Sequence, residues 1–469
     1  MTDTVDQATA KIQHDVHDSG FLGTDNNSHV KDADKELASL PANDANKVVA
    51  KLSDGDLKAW ADDVDSGGIF GAQGLSAGEK KDLFNTFAQK LDGDQLARVS
   101  AAFGGSRDDV IELGRSVAQY GTADAKVEYV KQLASKATDQ PNEFQNGFFS
   151  QTSIGGDREA IAIGEVLSSL KGNPQAVDKA FGALNGQQLD AVVRGAEGQR
   201  TTTYTGASGP SNTTDARLTH QILSAAATGS DPAVKARVFE SGAKAIGDIK
   251  DSDQLLTPNV GAKDDVKRVT DGLTQILNSD TTGVTHALKV DQLSGKALTS
   301  YLKEVVSANP SAGNQTVGTM LARLQQGNDL SQNPFDYVNQ TVDDGHGGKA
   351  FVNAETVGYF SGGIQAAINS ISSDEKTQGD ILGNVLNTAV SVGTGWKVPT
   401  PVKLGAQVVN GGIKEAVREV VADVTSKNKT LADALFQISL PHDASGKTAE
   451  LASDASFLAV RSTVVEQNR

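Results

Sequence analysis

Apolar residues recur along most of this chain at steps of three and four, the period of helices with one buried face. Residues 351–424 show it most strongly. Val357, Phe360, Ile364, Ile368 and Ile371 form a stripe that Ile381, Leu382, Val385, Leu386 and Ala389 resume. Gly358 and Gly362, then Gly379 and Gly383, stand one helical turn apart, a spacing that lets another backbone approach closely. Pro399 and Pro401 end this long helix, because neither ring continues the hydrogen-bond ladder. A second helix is predicted over 402–424 on Leu404, Val408, Ile413, Val417 and Val421.

The same period organises the preceding chain less uniformly. Residues 1–40 hold two short polar helices, around 5–17 and 30–40, and read as an acidic, partly disordered lead that tolerates deletion. From Pro41 the pattern is dense. Ser76-Ala-Gly-Glu79 has the form of a capping box, opening a helix through Leu83, Phe84 and Phe87. Leu91-Asp-Gly-Asp-Gln-Leu96 then recurs as Leu184-Asn-Gly-Gln-Gln-Leu189. Helices headed by the capping residues Thr122, Asn173 and Asp231 form a second echo. These starts lie about 50–60 residues apart, which predicts a degenerate repeat of helical hairpins. Residues 138–156 and 198–213 lack the period and read as turn-rich loops. Further helices are predicted at 264–278, 293–307, 316–325 and 431–438. An Asp-Gly turn between β-favouring flanks predicts one β-hairpin over 339–352.

The expected fold class is therefore all-α: stacked antiparallel helical hairpins, a long C-terminal helical hairpin and one small β-hairpin. The expected divisions are the lead at 1–40, the array at 41–338, the β-hairpin with the Gly-rich hairpin at 339–440, and a polar tail at 441–469.

Charge and composition narrow the function. The net charge of -16 argues against nucleic acid, which needs a basic face. Half of it lies in residues 1–65, where 14 acidic residues face 6 basic ones. The chain has no cysteine, which removes disulfides, thiolate metal sites and cysteine nucleophiles. The start lacks the basic and apolar regions of a secretory signal peptide, and no apolar run reaches the ~18 residues of a membrane span. Expected localisation is export by a signal-peptide-independent system, with the cytoplasm as the alternative.

Candidate chemistry is sparse. Asp63 and Asp65 occupy positions 1 and 3 of a partial calcium loop, with Gly68 at position 6. Gly74 stands where the bidentate Glu belongs, so a Gly-rich turn with solvated acids competes with calcium binding. His14 and His17, beside Asp15 and Asp18, offer a nitrogen–oxygen face that also reads as a solvated one. No nucleophile elbow, zinc-binding helix or phosphate loop is present. No catalytic residue and no other cofactor is assigned. A hydrolase with dispersed acidic residues stays open, because convergence in space leaves no linear motif. The Gly-marked segment has two readings. It inserts into a bilayer as a hairpin hinged at 372–379, with Asp380 among the opposing charges, or its glycines serve close helix packing in water.

The stretches Asp82-Leu-Phe, Leu91-Asp-Gly-Asp-Gln-Leu96, Ser279-Asp-Thr-Thr-Gly-Val284, Leu321-Ala-Arg-Leu-Gln-Gln-Gly-Asn328 and Gly358-Tyr-Phe-Ser-Gly-Gly-Ile-Gln-Ala-Ala367 carry a resemblance. Residues 50–425 resemble the non-catalytic helical regions of effectors and toxins that plant- and soil-associated Gram-negative bacteria deliver through specialised secretion systems. The resemblance implies an effector acting by protein binding or membrane perturbation. Its partner would be an immunity protein, a chaperone or a target. Only about forty residues follow Val424, too few for a separate toxic domain, so a structural or adaptor scaffold is the alternative.

Overall fold

A computed structural model describes residues 2–17, 26–65, 74–138, 144–146, 150–153, 156–198, 200–204, 211–253, 259–392, 402–404, 407–409, 440–441 and 449–469. The fold is all-α, with helices packed on helices. Two compact units divide it: 1–230 with 247–268, and 231–246 with 269–469.

The first unit begins with α1 (Thr2–His17), α2 (Asn26–Ser39), α3 (Ala42–Lys51) and α4 (Asp54–Asp65). Then come α5 (Ala77–Lys90), α6 (Gly93–Ala102), α7 (Arg107–Tyr120), α8 (Ala123–Leu133) and α9 (Arg158–Ser169). It continues through α10 (Pro174–Gly182), α11 (Gly186–Gly195) and α12 (Arg217–Ala226). Helices α5, α7, α9 and α12 stack in one row, and α4, α6, α8 and α10 follow one another beside it. Hydrogen bonds between successive pairs join residues 44 to 56 positions apart. Arg98 donates to the carbonyl of Val49, Arg115 to Glu165, and the Ser230 amide to Asp178. That spacing is the structural form of the repeat.

Local chemistry starts these helices where the residue types require it. Ser76 and Glu79 form the reciprocal capping box. Asp92, Thr122, Asn173 and Asn185 each accept an amide from the first turn they head. Trp60, Phe84, Phe87 and Phe103 are fully buried, with Trp60 edge-on to Phe87 at 5.3 Å and Phe84 edge-on to Phe103 at 5.4 Å. Edge-to-face contacts of this kind add to the burial of the rings themselves.

The lead at 1–40 differs from its polar appearance. Val5, Ala8, Ile12 and Val16 of α1 and Val30, Ala33 and Leu37 of α2 are buried against α3, α4 and α5. Gln13 and His17 hydrogen-bond Asp56 at 3.0 and 2.8 Å. Partial burial pushes the Asp56 carboxyl up, but bonds from Gln13, His17 and Ser53 hold it well below the usual carboxylate range. One narrow stripe per helix suffices for docking, and average composition hides it. Deleting residues 1–40 should therefore lower the melting temperature by about 10 °C or more, measured by thermal circular dichroism. An unchanged melt would mean that α1 and α2 add nothing to the core.

The two turn-rich interruptions carry strands rather than loops alone. β1 (Phe144–Asn146), β2 (Ser150–Ser153), β3 (Arg200–Tyr204), β4 (Ser211–Thr213) and β5 (Asn259–Val260) form one sheet in that order. It is antiparallel except for the β4–β5 pair. Its strands are short and polar, with Thr201, Thr202 and Thr203 in β3, so no apolar alternation announces them.

The unit boundaries divide α13 (Pro232–Asp251) and α14 (Ala262–Ser279). The second unit then contains α15 (Thr281–Asp291), α16 (Lys296–Ala308), α17 (Pro310–Leu324) and α18 (Pro334–Val338). The expected hairpin follows as β6 (Thr341–Asp343) and β7 (Lys349–Phe351). Next are α19 (Ala354–Ile371) and α20 (Glu375–Val392), the strands β8 (Val402–Leu404) and β9 (Gln407–Val409), and α21 (Ala455–Gln467).

Three expectations change in this unit. The long helix is two, divided at Ser372, whose backbone is extended. The start of the expected helix at 402–424 is instead the β8–β9 hairpin, with Val402, Val408 and Val409 in its strands. The rest of 410–424, and the helix expected at 431–438, lie outside the described residues. The tail at 441–469 ends in α21, which packs on α19 more extensively than α20 does.

Candidate functional site

The Gly-marked helix α19 is buried nearly all round, by α15, α16, α17, α20 and α21. A Cβ placed on Gly358 would lie 2.6 Å from the carbonyl oxygen of Phe457, and one on Gly362 would lie 2.8 Å from that of Arg461. The two glycines therefore bring the backbones of α19 and α21 together, closer than any side chain permits. Ile364 and Ile368 sit in the same core. Arg461, itself buried, reaches Gln365 through Nη2 at 2.5 Å, and Asn468 donates to the carbonyl of Ser294 at 2.7 Å.

The second glycine pair goes elsewhere. Gly379 is buried, Gly383 half-buried and Asp380 exposed on α20, whose main neighbour is α17. There the close approach is made by Gly318 of α17, where a Cβ would lie 2.5 Å from the carbonyl oxygen of Val385. Gly318, Phe457, Arg461 and Val464 were not among the sequence-derived site residues. The legible signals are a lone glycine in the helix predicted at 316–325 and, within the polar tail, the short apolar run Phe457–Val465.

Asp63 and Asp65 end α4. Burial, then the neighbouring Asp62, pushes the Asp63 carboxyl up. Asp65 is ion-paired to the ammonium of Lys80, which also reaches Asp109 Oδ2 at 3.2 Å. Residues 66–73 of the calcium-loop reading lie outside the described residues, and among the described residues no group of three metal-ligating side chains converges. His17 is engaged by Asp56, and His14 lies 3.7 Å from Asp15.

The Asp65–Lys80–Asp109 cluster is the nearest counterpart to a dispersed acidic site. Asp109 is 5% exposed, and burial pushes its carboxyl up to about 6. A hydrogen bond with Asp65 and the Asp65 charge push the same way, while Lys80 opposes them. Burial alone would lower Lys80, but the two aspartates hold it above the usual lysine range. A carboxyl whose proton affinity is raised beside a second carboxylate suits acid–base chemistry. These two are bridged by an ammonium, and one is closed from solvent, so the cluster serves as a tie between α4, α5 and α7.

No described helix is long and apolar enough to cross a membrane. No known protein family matches the chain, and no curated protein matches it in sequence.

Proposed function

We propose that this chain is a secreted bacterial effector or toxin-like protein that acts by binding a protein partner. The observation supporting binding over membrane perturbation is the burial of α19. Its apolar and glycine faces are already engaged inside the second unit. Insertion would have to strip α21 and α16 from it and carry Asn369, Asn384 and Asn387 into hydrocarbon, where polar groups are costly. Stacked helical pairs also offer the long surfaces that helical repeats use for partners.

Vesicles of phosphatidylcholine and phosphatidylglycerol loaded with dye test this directly. The full-length protein should release no dye between about pH 4 and pH 8. Leakage that appears on acidification and is suppressed by Asp380→Lys would replace binding with membrane perturbation.

A further inference from the structure

We propose that the outer edge of β6 is a docking edge for an extended segment of a protein partner, with an apolar residue opposite Val342 and a basic residue opposite Asp343. This rests on the binding function and specifies where one contact is made.

The β6–β7 hairpin stands out from the unit that carries it. Every residue from Gln340 to Ala350 is exposed. Its anchor is Phe351, half-buried against the core of Val338, Ala354, Val357 and Phe457. Paired residues of an antiparallel ladder share a face, so Val342 with Ala350, and Gln340 with Val352, lie opposite the Phe351 face. On that outer face Val342 is 54% exposed and Val352 51%, two of the most exposed large apolar side chains among the described residues.

Backbone geometry adds a second, independent feature. The Val352 amide donates to the Gln340 carbonyl at 3.0 Å, and the Asp344 amide to the Gly348 carbonyl at 3.1 Å. These are the hydrogen-bonded pairs of the ladder. Thr341 and Asp343 alternate with them, so their N–H and C=O groups point away from β7. Among the described residues nothing pairs with those groups. An edge of this kind is a template for a further strand, and strand addition supplies main-chain bonds while alternate side chains set specificity.

Charge selects the occupant. Asp343 and Asp344 place two carboxylates at the tip of β6. Asp344 accepts the His346 and Gly348 amides of the turn, and Asp343, which accepts the Gly345 amide, faces Lys349 across the ladder on one side and the open edge on the other. A strand on β6 with a lysine or arginine opposite Asp343 gains a favourable cross-strand pair. In a second copy paired antiparallel about Val342, Thr341 would stand opposite Asp343, which adds no such pair.

The test uses the full chain and a fluorescent peptide alternating valine with lysine, read by anisotropy. A second peptide with the same charge carries N-methyl groups on alternate amides, which removes edge hydrogen bonding. The expected result is binding of the first peptide, its loss on N-methylation, and weakening by about fivefold in Val342→Lys, the upper end of what one cross-strand pair contributes. Asp343→Lys should shift preference to a valine–glutamate peptide. No binding, or binding indifferent to N-methylation, would overturn the proposal. So would a concentration-dependent dimer abolished by Val342→Lys, because the occupant would then be a second copy. Each outcome is independent of vesicle leakage, which bears on the binding function itself.

Discussion

Gly358→Leu should destabilise the second unit by about 3 kcal/mol or more, at or beyond the upper end of ordinary overpacking costs. The added carbons meet the Phe457 carbonyl oxygen, a backbone atom of α21 that no rotamer change moves aside. The helices must separate, and Arg461, Val464 and Phe457 then lose their packing on α19. Gly362→Leu should behave similarly, with the Arg461 carbonyl and Val464 as the obstacles. Gly78→Ala is the control. No atom lies within 4 Å of a Cβ placed there, so its effect should stay within about 1 kcal/mol. Urea unfolding midpoints make the comparison. Equal midpoints for Gly358→Leu and Gly78→Ala would mean that α21 does not lie on α19.

The second large effect depends on pH. Lys80→Met should cost about 2–4 kcal/mol at pH 7 and much less near pH 4, because it leaves the Asp65 and Asp109 carboxylates beside each other with no cation. The sign follows from Asp109. Its folded value, about 6, lies above its ordinary value of 3.8. The folded state therefore binds the proton more tightly than the unfolded one. Stability from this group is fully present below pH 3.8 and is lost as pH rises through 6. Removing Lys80 takes away the interaction that eases ionisation of Asp109 and so enlarges the loss at neutral pH. Asp109→Asn should conversely flatten the dependence between pH 4 and 6 and leave neutral-pH stability at least that of the wild type. Unfolding free energies at several pH values separate the variants. A Lys80→Met penalty of equal size at pH 4 and pH 7 would show that the cluster is not a buried titrating group.

The class of the fold was legible because its signals are local. Capping residues such as Ser76, Thr122 and Asn173 act within one turn, and the three–four period survives in each helix. The repeat was legible for the same reason, through the recurring Leu–Asp/Asn–Gly elbow. What the chain order concealed was partnership. Gly358 and Gly362 announce a close neighbour but not which one, and the same holds for Gly379 and Gly383. The true neighbour, α21, spreads its apolar residues around the helix among Arg461, Ser462, Thr463 and Glu466 and carries no clean stripe, so its period is weak. The sheet of β1–β5 was hidden by polar strands, and docking of α1 and α2 by their polar outer faces. Asp65 stands in the sequence only as a partial calcium-loop position, because Lys80 and Asp109, which engage it, come from separate helices further along the chain.

The placement of α21 on the Gly-marked face of α19 is open to a direct chemical measurement, because the chain has no cysteine of its own. A Cβ on Gly362 would lie 2.9 Å from that of Val464, and a small outward shift brings the pair into the range of a disulfide. The double variant Gly362→Cys with Val464→Cys should oxidise to a disulfide in the full-length protein, identified by mass spectrometry of the linked peptides. The pair Gly362→Cys with Gly383→Cys should remain reduced. Efficient bonding between positions 362 and 383, with none between 362 and 464, would contradict the structure and restore the hairpin closed on its own two arms.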